Sequence, residues 1–344
     1  MVKTKKIKLS NRAKQELLIE LWEDAAFNRN SYLELEKMII NYKKSRQEKC
    51  DFELTDLEIL FNLSTSRNRN LINYEQQRNL SSKIVGFFGL SVGSHAAITW
   101  IIESRSRVIK ISDPDKISPT NLNRLRLGWE DIGKDKVDVV KHQLLKINPY
   151  LNIVLTKKTD FNTINNIFNN SPKLSAVIDA IDDMEGKIIL RKLAKENKIP
   201  LISAADVGDN IVLDIERYDQ DLNLEPFLGR ISKQEIQSFP KMSDLEKKKM
   251  IIKLVGFEEN SEQMLDSLLA LGKDLSTWPQ LGATATIAGG IITTTLKKIF
   301  LGEKIKSGRY YFSLDSILVQ DFNSKTNQKV RNEKIKQIKT KFKI

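Results

Sequence analysis

From residue 83 to 217 short apolar runs alternate with longer stretches whose apolar residues recur every three or four positions. Strand-like runs fall at 83–88, 107–112, 151–155, 174–179, 199–203 and 210–216, and helix-like runs at 94–104, 134–147, 161–170 and 184–197 separate the first five. Elements of these lengths in this order predict βαβ units around a mostly parallel sheet, so the fold class is α/β and doubly wound. Ligands on such sheets bind at the carboxyl ends of the strands. Upstream, residues 10–80 read as helical: Leu17, Leu18, Leu21, Trp22 and Ala25 share one helical face, as do Leu33, Leu35, Met38, Ile39 and Tyr42. Thr55-Asp56-Leu57-Glu58 is a capping box before Ile59-Leu60-Phe61.

Beyond the alternating region, residues 218–275 read as helical, with a second capping box at Ser243-Asp244-Leu245-Glu246. Trp278 to Leu301 is a small-residue helix in which Gly282, Ala285, Ala288 and Gly289 permit close packing, and Tyr310 to Val319 reads as a strand pair turning at Asp315. The expected organisation is an N-terminal helical region, 1–80, a nucleotide-binding domain, 81–321, with a helical insertion at 218–275, and a basic tail, 322–344.

Charge changes this picture little. The net charge of +12 is spread along a chain rich in Lys, Asn and Ile, and reads as solvated surface rather than a nucleic-acid footprint. The tail is the exception, with eight basic residues and one Glu between Lys325 and Lys343; it is expected to fray or to dock as a basic helix. No apolar segment follows Lys3, Lys5, Lys6 and Lys8 as in a signal peptide, and Lys297 and Lys298 interrupt the most apolar helix, so neither export nor a membrane span is expected. The single cysteine, Cys50, excludes an internal disulfide and a cysteine-cluster zinc site, and fits a reducing cytoplasm.

Candidate chemistry gathers at the strand ends. The first strand runs into Gly89-Leu90-Ser91-Val92-Gly93-Ser94, and a strand turning into a helix aims free backbone N–H groups at an anion. The usual dinucleotide fingerprint needs three glycines, and here Gly89 and Gly93 stand four apart, so the loop is one residue shorter or is a plain turn. Asp113 ends the second strand 20 residues after Gly93; it can accept ribose hydroxyls or form a turn before Pro114. Asn121, Arg124, Lys134 and Lys136 follow, and after the fourth strand Asp179, Asp182 and Asp183. Each has a structural reading as a turn, a solvated helix start or a helix cap. Together they place cations and carboxylates at one rim, the equipment of phosphoryl or nucleotidyl transfer.

The order "GLSVGS", "DPDKISPTNLNRL", "GKDK", "DAIDD" resembles the ThiF/MoeB/HesA adenylyltransferases, whose Rossmann-like fold is shared with the ubiquitin-activating enzymes. The loop "GLSVG", "RNRN" before the first strand, "LDIERYD" at 213–219 and "WPQLGATAT" at 278–286 are closest to a MoeY-like branch often fused to or encoded beside nitroreductase-like proteins. The resemblance runs from about Arg67 to about Glu303 and accounts for the short loop. It implies that the backbone from Gly89 to Ser94 cradles phosphates, that Asp113 and Asp115 lie at the ribose, and that Asn121, Arg124 and Lys136 contact the triphosphate. It further implies that Asp182 holds Mg²⁺ with ATP, and that Lys187 stands where the family has an Arg. Relatives are homodimers in which an arginine from before the first strand reaches the partner's site, a position matched by Arg67 or Arg69. Two features depart from the pattern: no cysteine follows the fifth strand, which argues against a thioester on this chain, and the paired Cys-x-x-Cys zinc site is missing.

The expected activity is therefore ATP-dependent adenylation of a carboxylate on a peptide, a small protein or a small acid, with Arg124, Lys136 and Asp182 as catalytic residues. An NAD(P)- or FAD-binding oxidoreductase subunit would use the turn and Asp113 equally but leaves Asn121, Arg124, Lys136 and Asp182 without a task. A silent scaffold keeping the fold is the third reading.

Overall fold

The computed structural model describes residues 7–8, 53–54, 61 and 64–343, save 258–259. The helical stripes of residues 10–42, the capping box at Thr55 and Cys50 lie outside these. The chain forms two compact units: Met1–Arg78 with Asn148–Tyr150, and Asn79–Ile147 with Leu151–Ile344. In the first, a two-residue antiparallel ladder pairs Ile7 with Leu54, and a 3₁₀ turn spans Ser66–Asn68. Helix α1, Tyr74–Ser82, then begins behind a reciprocal cap, in which Gln76 N–H donates to Asn73 Oδ1 and Asn73 N–H to Gln76 Oε1, both at 2.9 Å.

The main unit holds a seven-stranded sheet: β1 Val85–Phe88, β2 Val108–Ser112, β3 Asn152–Thr156, β4 Ala176–Asp179, β5 Leu201–Val207, β6 Asn210–Glu216 and β7 Gly308–Ser313. Their order is β3-β2-β1-β4-β5-β6-β7, with β1 to β5 parallel and β6 antiparallel to both neighbours. Helices α2 Val92–Ser104, α3 Lys136–Ile147, α4 Phe161–Asn169 and α5 Met184–Glu196 make the crossovers, within two residues of the expected bounds. The order turns back between β1 and β4, the switch point where such sheets bind ligands. Register places Phe88, Ser112, Asp179 and Ser203 in one row across four strands, so their following residues share one rim.

Strand β1 is buried along its whole length, as a central parallel strand between helical layers must be. On one side Phe88, Phe168, Leu190, Leu201 and Tyr218 form a core cluster. On the other, α2 packs against α9, Gly282–Phe300, so closely that a Cβ on Gly289 would lie 2.7 Å from the Cβ of His95. Residues after β6 form α6 Lys233–Ser238, α7 Asp244–Val255 and α8 Glu262–Ala270, whose Ser232, Ser243 and Ser261 each cap a helix.

Two expectations meet the structure differently. The apolar run 310–319 is one strand, not two: β7 ends at Ser313, whose hydroxyl accepts from Ser316 N–H and starts the short helix α10, Leu314–Leu318, with Asp315 in its first turn. A serine cap overrides the alternation of apolar residues there. The basic tail docks: α11, Lys325–Phe342, buries Ile338 beside Leu265 and Leu268 of α8, and Lys334 pairs with Glu262 and Asp266 at 2.7 and 2.6 Å.

Candidate active site

The turn after β1 is set by its two glycines, each for a separate reason. Gly89 donates to Ser112 O at 2.8 Å while Ala180 N–H reaches Phe88 O at 2.7 Å, so the chain leaves the sheet wedged between β2 and β4. There its φ is +85°, and a Cβ would lie 2.1 Å from Ala180 O. Gly93 is helical, and a Cβ on it would sit 3.1 Å from the Cβ of Ala180, so it permits the close approach of α2 to the end of β4. Leu90, where the fingerprint has its middle glycine, is fully buried and lines one small pocket with Ile117, Leu125 and Val140.

Asp113 braces this turn from the next strand. Its Oδ2 accepts from Leu90 N–H at 2.6 Å and its Oδ1 from Asp115 N–H at 2.8 Å, the Asx turn expected before Pro114. Burial pushes its carboxyl up, opposed by Lys136 and by these backbone donors. Each oxygen retains a lone pair, so the turn and ribose roles are compatible. The bracing narrows the expected phosphate cradle, since Leu90 N–H is taken by Asp113 and Ser94 N–H by Ser91 O at 3.1 Å. The N–H groups of Ser91, Val92 and Gly93, at the start of α2, bond no side chain among the described residues.

Lys136 opens α3 with its ammonium 2.8 Å from Asp115 Oδ2 and 3.7 Å from Asp113 Oδ1, buried but at the cleft wall. Arg124 lies across the mouth of the turn, donating from Nε to Ser91 Oγ at 3.1 Å and from Nη1 to Thr120 O and Asn123 Oδ1. No carboxylate lies within ion-pair distance of it among the described residues, so its charge remains available. Asn121 is mostly buried and its Oδ1 accepts from Ser118 N–H at 3.0 Å, shaping the 3₁₀ turn that presents Arg124.

At the end of β4 the three aspartates separate into distinct tasks. Asp179 is buried between Lys187, at 3.1 Å, and Arg191, at 2.7 Å; burial alone would raise its carboxyl, but the two cations outweigh it and hold it below the usual range. Arg191 also lies 2.9 Å from Glu216 and stacks on Phe227 at 3.8 Å. Lys187 is thus held at the strand end rather than in solvent. Asp183 caps α5, accepting from Gly186 N–H at 2.7 Å and Glu185 N–H at 3.2 Å. Asp182 is exposed and makes no hydrogen bond or ion pair among the described residues.

Gly89, Ser91, Asp113, Asp115, Lys136 and Asp182 line one open cleft, and Arg124 stands beside it, bonded to Ser91. Among the described residues no three His, Cys, Asp or Glu side chains could hold an ion by themselves. A lone free carboxylate beside a phosphate site is nevertheless what Mg²⁺ requires when phosphates and water complete its shell. Arg67 and Arg69 belong to the other unit, where both are exposed on or beside the 3₁₀ turn without an ion pair among the described residues.

Two residues at this rim have no role in the sequence reading. His95 is buried in α2, its Nε2 2.6 Å from Arg124 O and its Nδ1 3.3 Å from Thr286 Oγ1; burial lowers its pKa, and neutral it fixes the backbone of Arg124 against α9. Asp206 lies in β5, its Oδ1 accepting from Gln280 Nε2 at 3.0 Å. The available signals were a histidine inside an apolar helix and a lone carboxylate after "LISAA".

A family model described as the ThiF family matches residues 65–335. The chain belongs to the ThiF family. Among curated relatives, an uncharacterized Mycobacterium tuberculosis protein is 28% identical over 73% of this ThiF chain and 35% of its own length. The Saccharomyces cerevisiae tRNA threonylcarbamoyladenosine dehydratase 1 is 31% identical over 43% of the chain, again 35% of the relative. The chain therefore spans about a third of the length of these relatives. The Haemophilus influenzae molybdopterin-synthase adenylyltransferase is 24% identical over 48% of this chain and 68% of its own length. Among solved structures, Escherichia coli MccB with MccA-N7isoASN covers 90% of this chain and 87% of MccB, at 15% identity and a TM-score of 0.51, a likeness of fold.

Proposed function

We propose that this ThiF-family chain is an ATP-dependent adenylyltransferase. A carboxylate oxygen of the substrate attacks the α-phosphorus of ATP, the bond to the β-phosphate oxygen breaks, and pyrophosphate leaves with that electron pair. The acyl-adenylate then passes to a nucleophile on another molecule. The observation that carries this reading is one cleft lined by a strand-to-helix turn with free N–H groups, by Lys136 and by the unpaired Asp182, with Arg124 beside it on Ser91. A dinucleotide oxidoreductase would use the turn and Asp113 and leave Arg124, Lys136 and Asp182 without a task.

In this mechanism the N–H groups of Ser91, Val92 and Gly93 bind phosphate oxygens at the positive end of α2. Asp113 orients the ribose with Asp115 beside it, and Asn121 holds the turn that carries Arg124. Arg124 and Lys136 stabilise charge that moves onto the departing pyrophosphate, a role in which preorganised cations are most effective. Asp182 would hold Mg²⁺, which when bound supplies further charge neutralisation on the phosphates. Lys187, anchored by Asp179, lies at the rim to meet the nucleotide.

The substrate class is a peptide or small-protein C-terminus or a small acid, and the acceptor is intermolecular because the one cysteine, Cys50, stands far upstream of the sheet and none follows the fifth strand. The assembly is a homodimer in which Arg67 or Arg69 of one subunit serves the other's cleft, with a nitroreductase-like protein as a further partner and the cytoplasm as location. No helix among the described residues is long and apolar enough to cross a membrane.

The test is ATP–pyrophosphate exchange with a pool of synthetic peptides bearing free C-termini, against the same pool amidated. Exchange with the free acids alone is expected; equal exchange with both would contradict carboxylate activation. For the shared site, mixing Arg67→Ala/Arg69→Ala protein with Asp182→Ala protein should restore one intact cleft per heterodimer. No recovery despite demonstrated subunit mixing would exclude it.

A further inference from the structure

No residue from Trp278 to Gly289 lines the cleft, yet this stretch is pressed against the segment that carries Arg124. Gly282, Thr286 and Gly289, at i, i+4 and i+7 in α9, share one helical face. A Cβ on Gly282 would lie 2.7 Å from Asn123 O, and one on Gly289 2.7 Å from the carbonyl carbon and the Cβ of His95. Between the two glycines, Thr286 Oγ1 stands 3.3 Å from His95 Nδ1 and donates to Gly282 O at 2.9 Å. Just before the helix, Gln280 O accepts from Asn123 Nδ2 at 2.8 Å. One face of α9 therefore meets both Asn123 and the buried histidine.

His95 is the polar member of this contact, 2% exposed and followed in α2 by the fully buried Ala96 and Ala97. Its Nε2 is 2.6 Å from Arg124 O. A carbonyl oxygen only accepts, so Nε2 carries the ring proton and Nδ1 is left toward Thr286. No backbone N–H among the described residues reaches Arg124 O, so the imidazole satisfies a carbonyl that the main chain leaves open. An apolar side chain would pack α2 against α9 without the cost of burying a polar ring. What the imidazole adds is a fixed backbone at Arg124, from which the guanidinium spans Ser91 Oγ, Thr120 O and Asn123 Oδ1. A cation held in place before its ligand arrives stabilises charge without having to reorganise.

We propose that His95 is a positioning residue: held by Thr286 and Gly289 of α9, it fixes the Arg124 carbonyl and thereby sets the guanidinium for the triphosphate. The chain then favours ATP over nucleotides that lack the β- and γ-phosphates. The inference rests on the adenylation reading, in which Arg124 meets the triphosphate, and adds a residue that touches no substrate itself.

The test is calorimetric titration of the full chain with Mg-ATP and with AMP, read as the ratio of the two affinities. His95→Leu keeps much of the volume and removes the donor; the ratio is expected to fall at least fivefold, with AMP affinity within twofold of the parent. His95→Gln places an amide N–H close to the position of Nε2 and should bring the ratio back to within twofold of the parent. Added to Arg124→Ala, His95→Leu should lower the ratio no further, because both changes remove the same contact. A cooperative melt confirms the fold of each variant. If His95→Leu lacks one, His95→Asn, whose amide is too short to reach Arg124 O, replaces it with the same expectation. A merely structural His95 would lower both affinities alike and leave the ratio unchanged. That result, a His95→Gln ratio as low as the donorless variant's, or a loss that adds to that of Arg124→Ala would overturn the assignment and leave adenylation standing. Failure of the parent to bind Mg-ATP would remove the adenylation reading and this inference with it.

Discussion

Replacing Gly89 by alanine tests whether the turn after β1 is as constrained as its geometry requires. At φ +85° an L-residue is strained by about 1–2 kcal/mol. The new methyl carbon would also sit 2.1 Å from Ala180 O and 2.7 Å from Ile181 N, where real Cβ atoms essentially never come within 3.0 Å. Both atoms belong to the backbone, so no side chain can rotate away. Either β4's end or the turn must move, and overpacking of this kind costs about 1–3 kcal/mol. The sum is about 2–5 kcal/mol, which for a domain of this size lowers Tm by roughly 5–15 °C. The segment displaced leads directly to Asp182, so Mg-ATP affinity should fall as well. Gly290→Ala is the control: it is helical with nothing within 4 Å, and should stabilise by about 0.5–1 kcal/mol. Differential scanning fluorimetry and calorimetry read both effects. Gly89→Ala melting within a degree of the parent, with unchanged Mg-ATP affinity, would refute the reasoning.

Arg191→Met leaves Asp179 and Glu216 without the guanidinium between them, and should cost about 3–5 kcal/mol by urea unfolding, since a buried charge loses its partner. Asp206→Asn should gain stability relative to the parent as pH rises. Burial raises the Asp206 pKa in the folded state, so the native parent holds a proton that the unfolded chain releases, and loses stability as pH climbs from the unfolded value through the folded one. The difference in Tm between variant and parent should therefore shift in the variant's favour across that window and become constant below it. Cys50→Ser should retain full exchange activity, and loss of activity with a thiol-sensitive adduct at Cys50 would show a covalent relay instead.

The alternation of strand and helix was legible because the buried strands are continuous apolar runs and the crossover helices carry clear stripes. What failed was local. At 310–319 exposed Ile317 and Leu318 imitate a strand, while one hydrogen bond from Ser316 N–H to Ser313 starts a helix. The fifth strand was read as ending at 203, since Ala204, Ala205 and Asp206 are weak strand formers; antiparallel pairing with β6 carries it to 207. That override of propensity by pairing is also why Asp206 went unnoticed. In the site, sequence order brought cations and carboxylates to one rim. It could not show that Asp113 occupies the Leu90 amide, nor divide Asp179, Asp182 and Asp183 into an ion-pair anchor, a free carboxylate and a helix cap.

The central claim is that this cleft binds ATP through its triphosphate and a metal at Asp182. Calorimetric titration of the full chain with Mg-ATP, NAD⁺ and FAD in parallel, repeated on Asp182→Asn, tests it most directly. The account predicts binding of Mg-ATP alone, with affinity that rises with Mg²⁺ in the parent and loses that dependence in Asp182→Asn. Binding of NAD⁺ or FAD in preference to Mg-ATP, or a Mg²⁺ dependence untouched by the substitution, would contradict it.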